Sequence, residues 1–214
     1  MVWFAQVQPT YTGVMRKIAA IVLAAGSSRR LGEPKQLLDW GGRPMLDVVV
    51  DRAKAWPVDQ VWVVLGAGAE DILEQCQLEN VNIVINDDYD EGLASSLRVG
   101  LDAIMRSGAQ IDGVFVALGD QPFIDPEVVE LMADRYEMST AKALVPKYRY
   151  TFGNPVLVDE SLWPRLMSLE GDTGAQKLLK AHPEWVEEVW VEKLAPRDVD
   201  TAADVEELAP RSAH

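Results

Sequence analysis

Ile18-Ala19-Ala20-Ile21-Val22 is an apolar run that leads into Leu23-Ala24-Ala25-Gly26-Ser27-Ser28-Arg29-Arg30-Leu31-Gly32-Glu33-Pro34-Lys35. A buried strand therefore ends in a loop of small residues carrying three cations, Arg29, Arg30 and Lys35. Such a loop can bring backbone N–H groups and positive charge against a phosphate chain, the requirement of a nucleoside triphosphate grip. Gly26 and Gly32 are six apart and Lys35 is followed by Gln36, so this is not the Walker A register. An ordinary βα turn would also use glycine, but such turns run only about two to six residues. The length and charge of this one point to ligand binding.

Short Val/Ile-rich runs then alternate with longer amphipathic stretches, the pattern of a parallel sheet covered by helices. Strands are predicted over 19–23, 60–65, 82–85 and 113–118, with helical spacing over 45–55 and 93–105. Asp125-Pro126-Glu127 supplies an N-cap and a first-turn proline for a helix over 128–136. Beyond it, strands are expected over 143–146 and 155–158 around the insert 147–154. Helices over 161–169 and 173–181, a strand over 186–191 and a short helix over 202–208 complete the expected order. Met15-Arg16-Lys17 is a natural start for the fold, which gives a single domain over 15–209, a loosely ordered extension over 1–14 and a tail over 210–214.

With 214 residues, 48% of them hydrophobic, the chain can bury one substantial core. Its net charge of −14 disfavours general binding to nucleic acid or anionic membrane, so the basic loop suggests a small anionic ligand. Cys76 is the only cysteine, which rules out an internal disulfide and suits a reducing cytoplasm. Lying among Glu74, Gln75 and Gln77, it reads as structural. The two histidines, His182 beside Pro183 and the terminal His214, look like neither bases nor metal ligands. No apolar stretch approaches the roughly eighteen residues of a membrane span, and the first residues lack a signal-peptide pattern.

Gly66-Ala67-Gly68 follows a good strand, but Asp71 stands where a dinucleotide turn has its third glycine. The turn can still line a pocket at the strand ends. Leu118-Gly119-Asp120-Gln121-Pro122 is more telling, because an Asp at a strand's carboxyl end sits on the ligand edge of such a sheet and can hold Mg²⁺. The capping role is already taken by Asp125. Farther on, Arg197-Asp198-Val199-Asp200-Thr201-Ala202-Ala203-Asp204 contains a capping box from Thr201 to Asp204 and leaves Asp198 and Asp200 as candidate partners for Asp120. Asn86 to Leu97, with Ser95 and Ser96, and Gly171-Asp172-Thr173-Gly174-Ala175 are further loops with ligand-like groups, although simple helix entry also explains the serines.

With these residues in place the chain resembles the MobA-like nucleotidyltransferases and, within them, the molybdenum cofactor cytidylyltransferases. The likeness runs from about Arg16 to Leu208. Leu23 to Leu38 is similar to the family's L-A-A-G-x-S-x-R-x-G-x-P-K-Q-L-L, Gly119-Asp120-Gln121-Pro122 to its metal-binding turn, and Asp198-Val199-Asp200-Thr201 to its late D-[IV]-D-T segment. Asn86, Gly92, Ser96 and Leu97 match its middle loop, and Gly171-Asp172-x-Gly174-Ala175 also fits. Two departures stand out. Ala202-Ala203 replaces the usual Pro-Glu, and Gly153-Asn154-Pro155 stands where the cytidylyl enzymes usually have Gly-His-Pro.

The resemblance implies a three-layer α/β, Rossmann-like nucleotidyltransferase fold with a mostly parallel central sheet. It implies transfer of CMP from CTP, or another nucleotide from its NTP, to the terminal phosphate of a molybdopterin-type molybdenum cofactor, with a molybdenum hydroxylase apoenzyme as a possible recipient. Lys35, Arg29 and Asp120 are the expected catalytic residues. Leu23, Ala24, Ala25, Gly26, Arg29, Gly32, Lys35, Gly66, Asn86 and Ser96 are expected to contact nucleotide, and Asp120 with Asp200 or Asp198 to hold Mg²⁺ or Mn²⁺. Ala25, where the guanylyl enzymes usually have glycine, leans towards cytosine. Transfer to a sugar phosphate or another phosphorylated small molecule, or cofactor binding without catalysis, remain alternatives.

Overall fold

The apolar run becomes β1, Ile18–Ala24, in which every residue is buried. The computed structural model describes residues 15–28 and 34–209, so the expected extension 1–14, the tail 210–214, Arg29 and Gly32 lie outside the described residues. Alternate side chains of β1 enter different cores: Ile18, Ala20, Val22 and Ala24 face one cluster, and Ala19, Ile21 and Leu23 the other. A strand covered on both faces has no solvent side for polar residues, which is why its sequence is continuously apolar.

The other elements follow in the expected order: α1 Met45–Lys54, β2 Gln60–Leu65, α2 Ala69–Gln75, β3 Asn82–Ile85, α3 Leu93–Arg106, β4 Gly113–Leu118 and α4 Pro126–Met138, then β5 Ala143–Tyr148, β6 Val156–Asp159, α5 Trp163–Leu166, α6 Ala175–Ala181, β7 Val186–Val191 and α7 Ala202–Leu208. The sheet has seven strands ordered β3-β2-β1-β4-β6-β5-β7. Its pairs are parallel except that β6 runs antiparallel to both β4 and β5. Leu46, Val50, Val129 and Met132 from α1 and α4 cover one face, while Leu97, Leu101, Ile104 and Leu179 from α3 and α6 cover the other. This is the three-layer α/β architecture, with β4 at the centre of the sheet and β1 beside it.

Two expectations are corrected in detail. The helix expected over 161–169 is a single 3-10 turn, Glu160–Leu162, followed by the one-turn α5 containing Pro164. The helix expected from 173 begins at Ala175, because Gly174 is its extended N-cap. In addition, α2 fills the stretch after β2, for which the sequence suggested only a turn; Gly68, with φ +68°, supplies the left-handed entry to it.

The carboxyl ends of the central strands are stitched together beyond their ladders. Gly119 N donates to Leu23 O at 2.9 Å, Ala67 N to Ala25 O at 3.2 Å and Asn86 N to Leu65 O at 2.8 Å. At Gly119 the fit is backbone-close: a Cβ there would lie 2.8 Å from that of Ala24. The edge where β1 and β4 end is therefore a fixed platform, and ligands in open α/β sheets gather at that edge.

Candidate functional site

A cleft of about 730 Å³ opens at this edge. Its floor is Leu23, Ala24, Ala25 and Gly26 from the end of β1 and Leu118, Gly119 and Asp120 from the end of β4. Lys35, Asp200, Ser96 and Asp172 converge on it from four other segments. The two described ends of the basic loop meet there: Lys35 N donates to Ser28 Oγ at 2.9 Å, and Ser28 adopts φ +48°. The loop is thus closed at its base beside the cleft.

Lys35 is the hub. Its ammonium donates to Asp120 Oδ2 at 2.5 Å and to Asp200 Oδ1 at 3.3 Å. Burial works against the charged ammonium, but the two carboxylates outweigh it and raise the Lys35 pKa, so the cation persists throughout the physiological range. Asp120 Oδ1 is buried without a hydrogen-bond partner, while Asp200 is about half exposed. A carboxylate oxygen with nothing to accept from, in a pair already bridged by one cation, suits a divalent ion. No group of three or more His, Cys, Asp and Glu side chains suited to a metal occurs among the described residues. Two carboxylates suffice, however, where a substrate's phosphates and water complete the shell, as is usual for Mg²⁺.

Packing gives Asp198 and Asp200 different surroundings. Asp198 accepts from Gln121 Nε2 at 2.5 Å and does not line the cleft, whereas Asp200 reaches Lys35. Burial, with the nearby Asp120 and Asp200 charges, raises the Asp198 pKa against the opposing Gln121 hydrogen bond. Between the two, Val199 is fully buried with Leu38, Trp40 and Met45, and its N–H donates to Asp120 O at 3.0 Å. The strap before α7 is thereby fastened to the β4 turn, with alternate side chains directed to different tasks. Gln121→Leu removes the donor to Asp198; it is expected to raise the KM for metal–nucleotide several-fold at near-normal stability, as steady-state kinetics would measure.

Ser96 lines the cleft as expected, but Asn86 and Gly66 do not. Asn86 is 1% exposed and donates to Ser95 Oγ at 2.8 Å and Ser96 Oγ at 2.9 Å, so it orients the cleft's hydroxyl from behind. Gly66 backs the floor: a Cβ there would lie 2.8 Å from that of Ala25 and 2.7 Å from that of Tyr89. Asn86→Ala strands Ser95 and Ser96 without their donor and is expected to cost about 1–3 kcal/mol in chemical denaturation.

Gln36 was quoted in the sequence only as part of a motif, yet it is a wall of the cleft. It is 2% exposed, and its Nε2 donates to Ala24 O at 2.5 Å and Gly26 O at 3.3 Å, holding the floor in shape. A polar residue between the last cation of the basic loop and Leu37-Leu38 was the available signal. Tyr89, Asp90 and Glu91 also line the cleft, so the acidic stretch after Asn86 forms part of its rim. Cys76 lies elsewhere. Burial, reinforced by Asp47, pushes its thiol up to about 12, so alkylation at pH 8 is expected at least about a hundredfold slower than that of a free thiol.

The family match covers the strands and turns that build this cleft, Asp200 and its strap excepted: the MobA-like NTP transferase domain matches residues 20–186. The chain belongs to this family. This MobA-like chain is 30% identical to nicotine blue oxidoreductase of Paenarthrobacter nicotinovorans over 88% of its own length and 92% of that protein. It is 26% identical to the molybdenum cofactor cytidylyltransferase of Escherichia coli K12, over 68% of its length and 72% of the relative's. Among solved structures, Rv0371c of Mycobacterium tuberculosis H37Rv in complex with manganese is 30% identical, with a TM-score of 0.78 over 90% of this chain and 98% of that one. The MobA-like chain therefore has the nucleotidyltransferase fold and is related to molybdenum cofactor nucleotidyltransferases. No described helix is long and apolar enough to cross a membrane.

Proposed function

We propose that this protein transfers CMP from CTP to the terminal phosphate of a molybdopterin-type molybdenum cofactor and releases pyrophosphate. The observation that carries the reading is the Lys35–Asp120–Asp200 cluster at the foot of a long basic loop, where a triphosphate and a cation would meet. An oxygen of the acceptor phosphate attacks the α-phosphorus, and the bond from the α-phosphorus to the oxygen bridging the α- and β-phosphates breaks. Pyrophosphate carries away the electron pair. The attacking phosphate is already ionised, so no side-chain base is needed, in keeping with the absence of His and Cys among the described residues that line the cleft.

The chain's own contribution is positioning and charge. Lys35 neutralises the departing phosphates, a role Arg29 is proposed to share, and Gln36 keeps the Ala24 and Gly26 carbonyls in place. Asp120 and Asp200 would hold Mg²⁺, with Mn²⁺ able to substitute as the manganese complex of Rv0371c suggests; when bound, the ion polarises the α-phosphate. The Ala25 methyl, seated against Gly66, occupies room that a glycine leaves open and favours the smaller pyrimidine. The proposed setting is the cytoplasm, and a molybdenum hydroxylase apoenzyme is the proposed recipient.

A second reading, electron transfer, is favoured by one observation: a relative covering most of the chain is named an oxidoreductase. An NTP panel with purified molybdopterin cofactor, run beside a reduced-dinucleotide oxidation assay, separates the two. Transfer predicts pyrophosphate and a cytidylylated product of matching mass. Dinucleotide oxidation with no pyrophosphate under any NTP would replace it.

A further inference from the structure

We propose that Asn154 and Gln176 act as a paired reader for the cyclic-amide edge of a planar heterocycle, in a pocket opening off the nucleotide cleft. Assigning that heterocycle to the acceptor rests on the transfer reading above. The pocket, of about 280 Å³, shares Leu23, Leu93 and Leu118 with the cleft, and Val116 and Val156 extend its apolar wall. Asn154 and Gln176 are its uncharged polar side chains, and Lys177 and Lys180 border it.

Gln176 Nε2 donates to Asn154 Oδ1 at 2.9 Å. Each primary amide has one carbonyl and one NH₂, so this bond leaves the Asn154 NH₂ and the Gln176 carbonyl available to a ligand. Exchanging O and N in both amides leaves the same complement, one donor and one acceptor. Neither remaining group is among the sealed polar atoms lacking a partner, as expected for groups that open on the pocket. A cyclic amide presents N–H next to C=O: the N–H donates to Gln176 Oε1 and the C=O accepts from Asn154 Nδ2. The apolar walls take the ring, and the lysines suit an anionic substituent.

The reader is pre-set. Tyr148, 2% exposed, donates its hydroxyl to Asn154 O at 3.1 Å. A Cβ at Gly153 would lie 2.6 Å from the Tyr148 ring, so this backbone is seated on a buried aromatic. Holding the amide in place before the ligand arrives limits the ordering cost of binding.

A cytosine edge offers a donor beside an acceptor as well, so the base itself is the other source of this chemistry. The acceptor is favoured because the pocket lies on the β4 and β6 side, at Val116, Leu118 and Val156. The floor residue Ala25 instead packs against Gly66, at the end of β2 on the opposite side of β1.

The test compares binding of pterin-6-carboxylate, which carries the cyclic amide, with quinoline-2-carboxylate, which does not, by fluorescence titration. Wild type, Asn154→Leu, Gln176→Leu and the double variant are used, with circular dichroism verifying the fold. Wild type is expected to prefer the pterin by at least about tenfold, and each single variant to lose that preference. The double variant should lose little more, because the amides act as a unit. Metal–CTP affinity should be unchanged. Equal binding of both probes by wild type, or of neither, overturns the pair. A fall in CTP affinity instead of pterin affinity overturns its assignment to the acceptor. Absence of cytidylyl transfer by a wild type that discriminates the probes as expected would fail the reaction and leave the pair standing.

Discussion

Asp120→Ala keeps the fold and loses about a hundredfold or more of nucleotidyl transfer, the typical cost of deleting one preorganised charge contact in the transition state. Stability should hold because Asp120 Oδ1 has no hydrogen-bond partner, so the substitution removes an unsatisfied buried atom together with one ion pair. Lys35 keeps its second partner, Asp200. Activity should fall because Asp120 is fixed on both sides: its carbonyl accepts from Val199 N, and Gly119 before it donates to Leu23. Asp200, about half exposed and on a strap, cannot replace a carboxylate on that platform. Lys35→Ala should reduce turnover comparably, through the departing phosphates. Steady-state pyrophosphate release beside a thermal melt checks both variants, and near-normal turnover in either would remove this cluster from the chemistry.

The largest loss of stability is expected at Gly92→Ala. Gly92 has φ +107° and ψ −174°, a region open essentially to glycine alone. An added Cβ would lie 2.6 Å from Gly171 C and 2.7 Å from Gly171 O, both backbone atoms that cannot rotate away. The contact is also a joint, since Ala94 N donates to Gly171 O at 3.1 Å. Strain and clash together should cost about 3 kcal/mol, lowering the melting temperature by roughly 10 °C in a chain of this size. Because the joint carries Ser96 on one side and Asp172 on the other, the KM for nucleotide should rise at temperatures where the variant is still folded. A melting temperature within a degree or two of wild type would show that the 87–92 and 171–174 loops are not locked together.

The central sheet was legible because burial on both faces removes polar residues from a strand, and β1, β4 and β2 beyond Gln60 carry that mark. β6 was legible as a strand but not as an antiparallel one, since three apolar residues and an aspartate carry no direction. The cluster of Lys35, Asp120 and Asp200 could be anticipated because each follows an apolar strand or precedes a helix at the ligand edge. What placed Asp200 and not Asp198 in the cleft was the burial of Val199 and the reach of Gln121 to Asp198, a contact between positions 77 residues apart. Asn86 showed the converse: its residue type suggested a ligand contact, and folding turned it inward to hold two hydroxyls.

The decisive measurement is the mass of the product after the purified protein is incubated with CTP, Mg²⁺ and molybdopterin cofactor. A cofactor heavier by one cytidylyl group is expected, formed in step with pyrophosphate and lost in Asp120→Ala. An unchanged cofactor mass with CTP and every other NTP would contradict it.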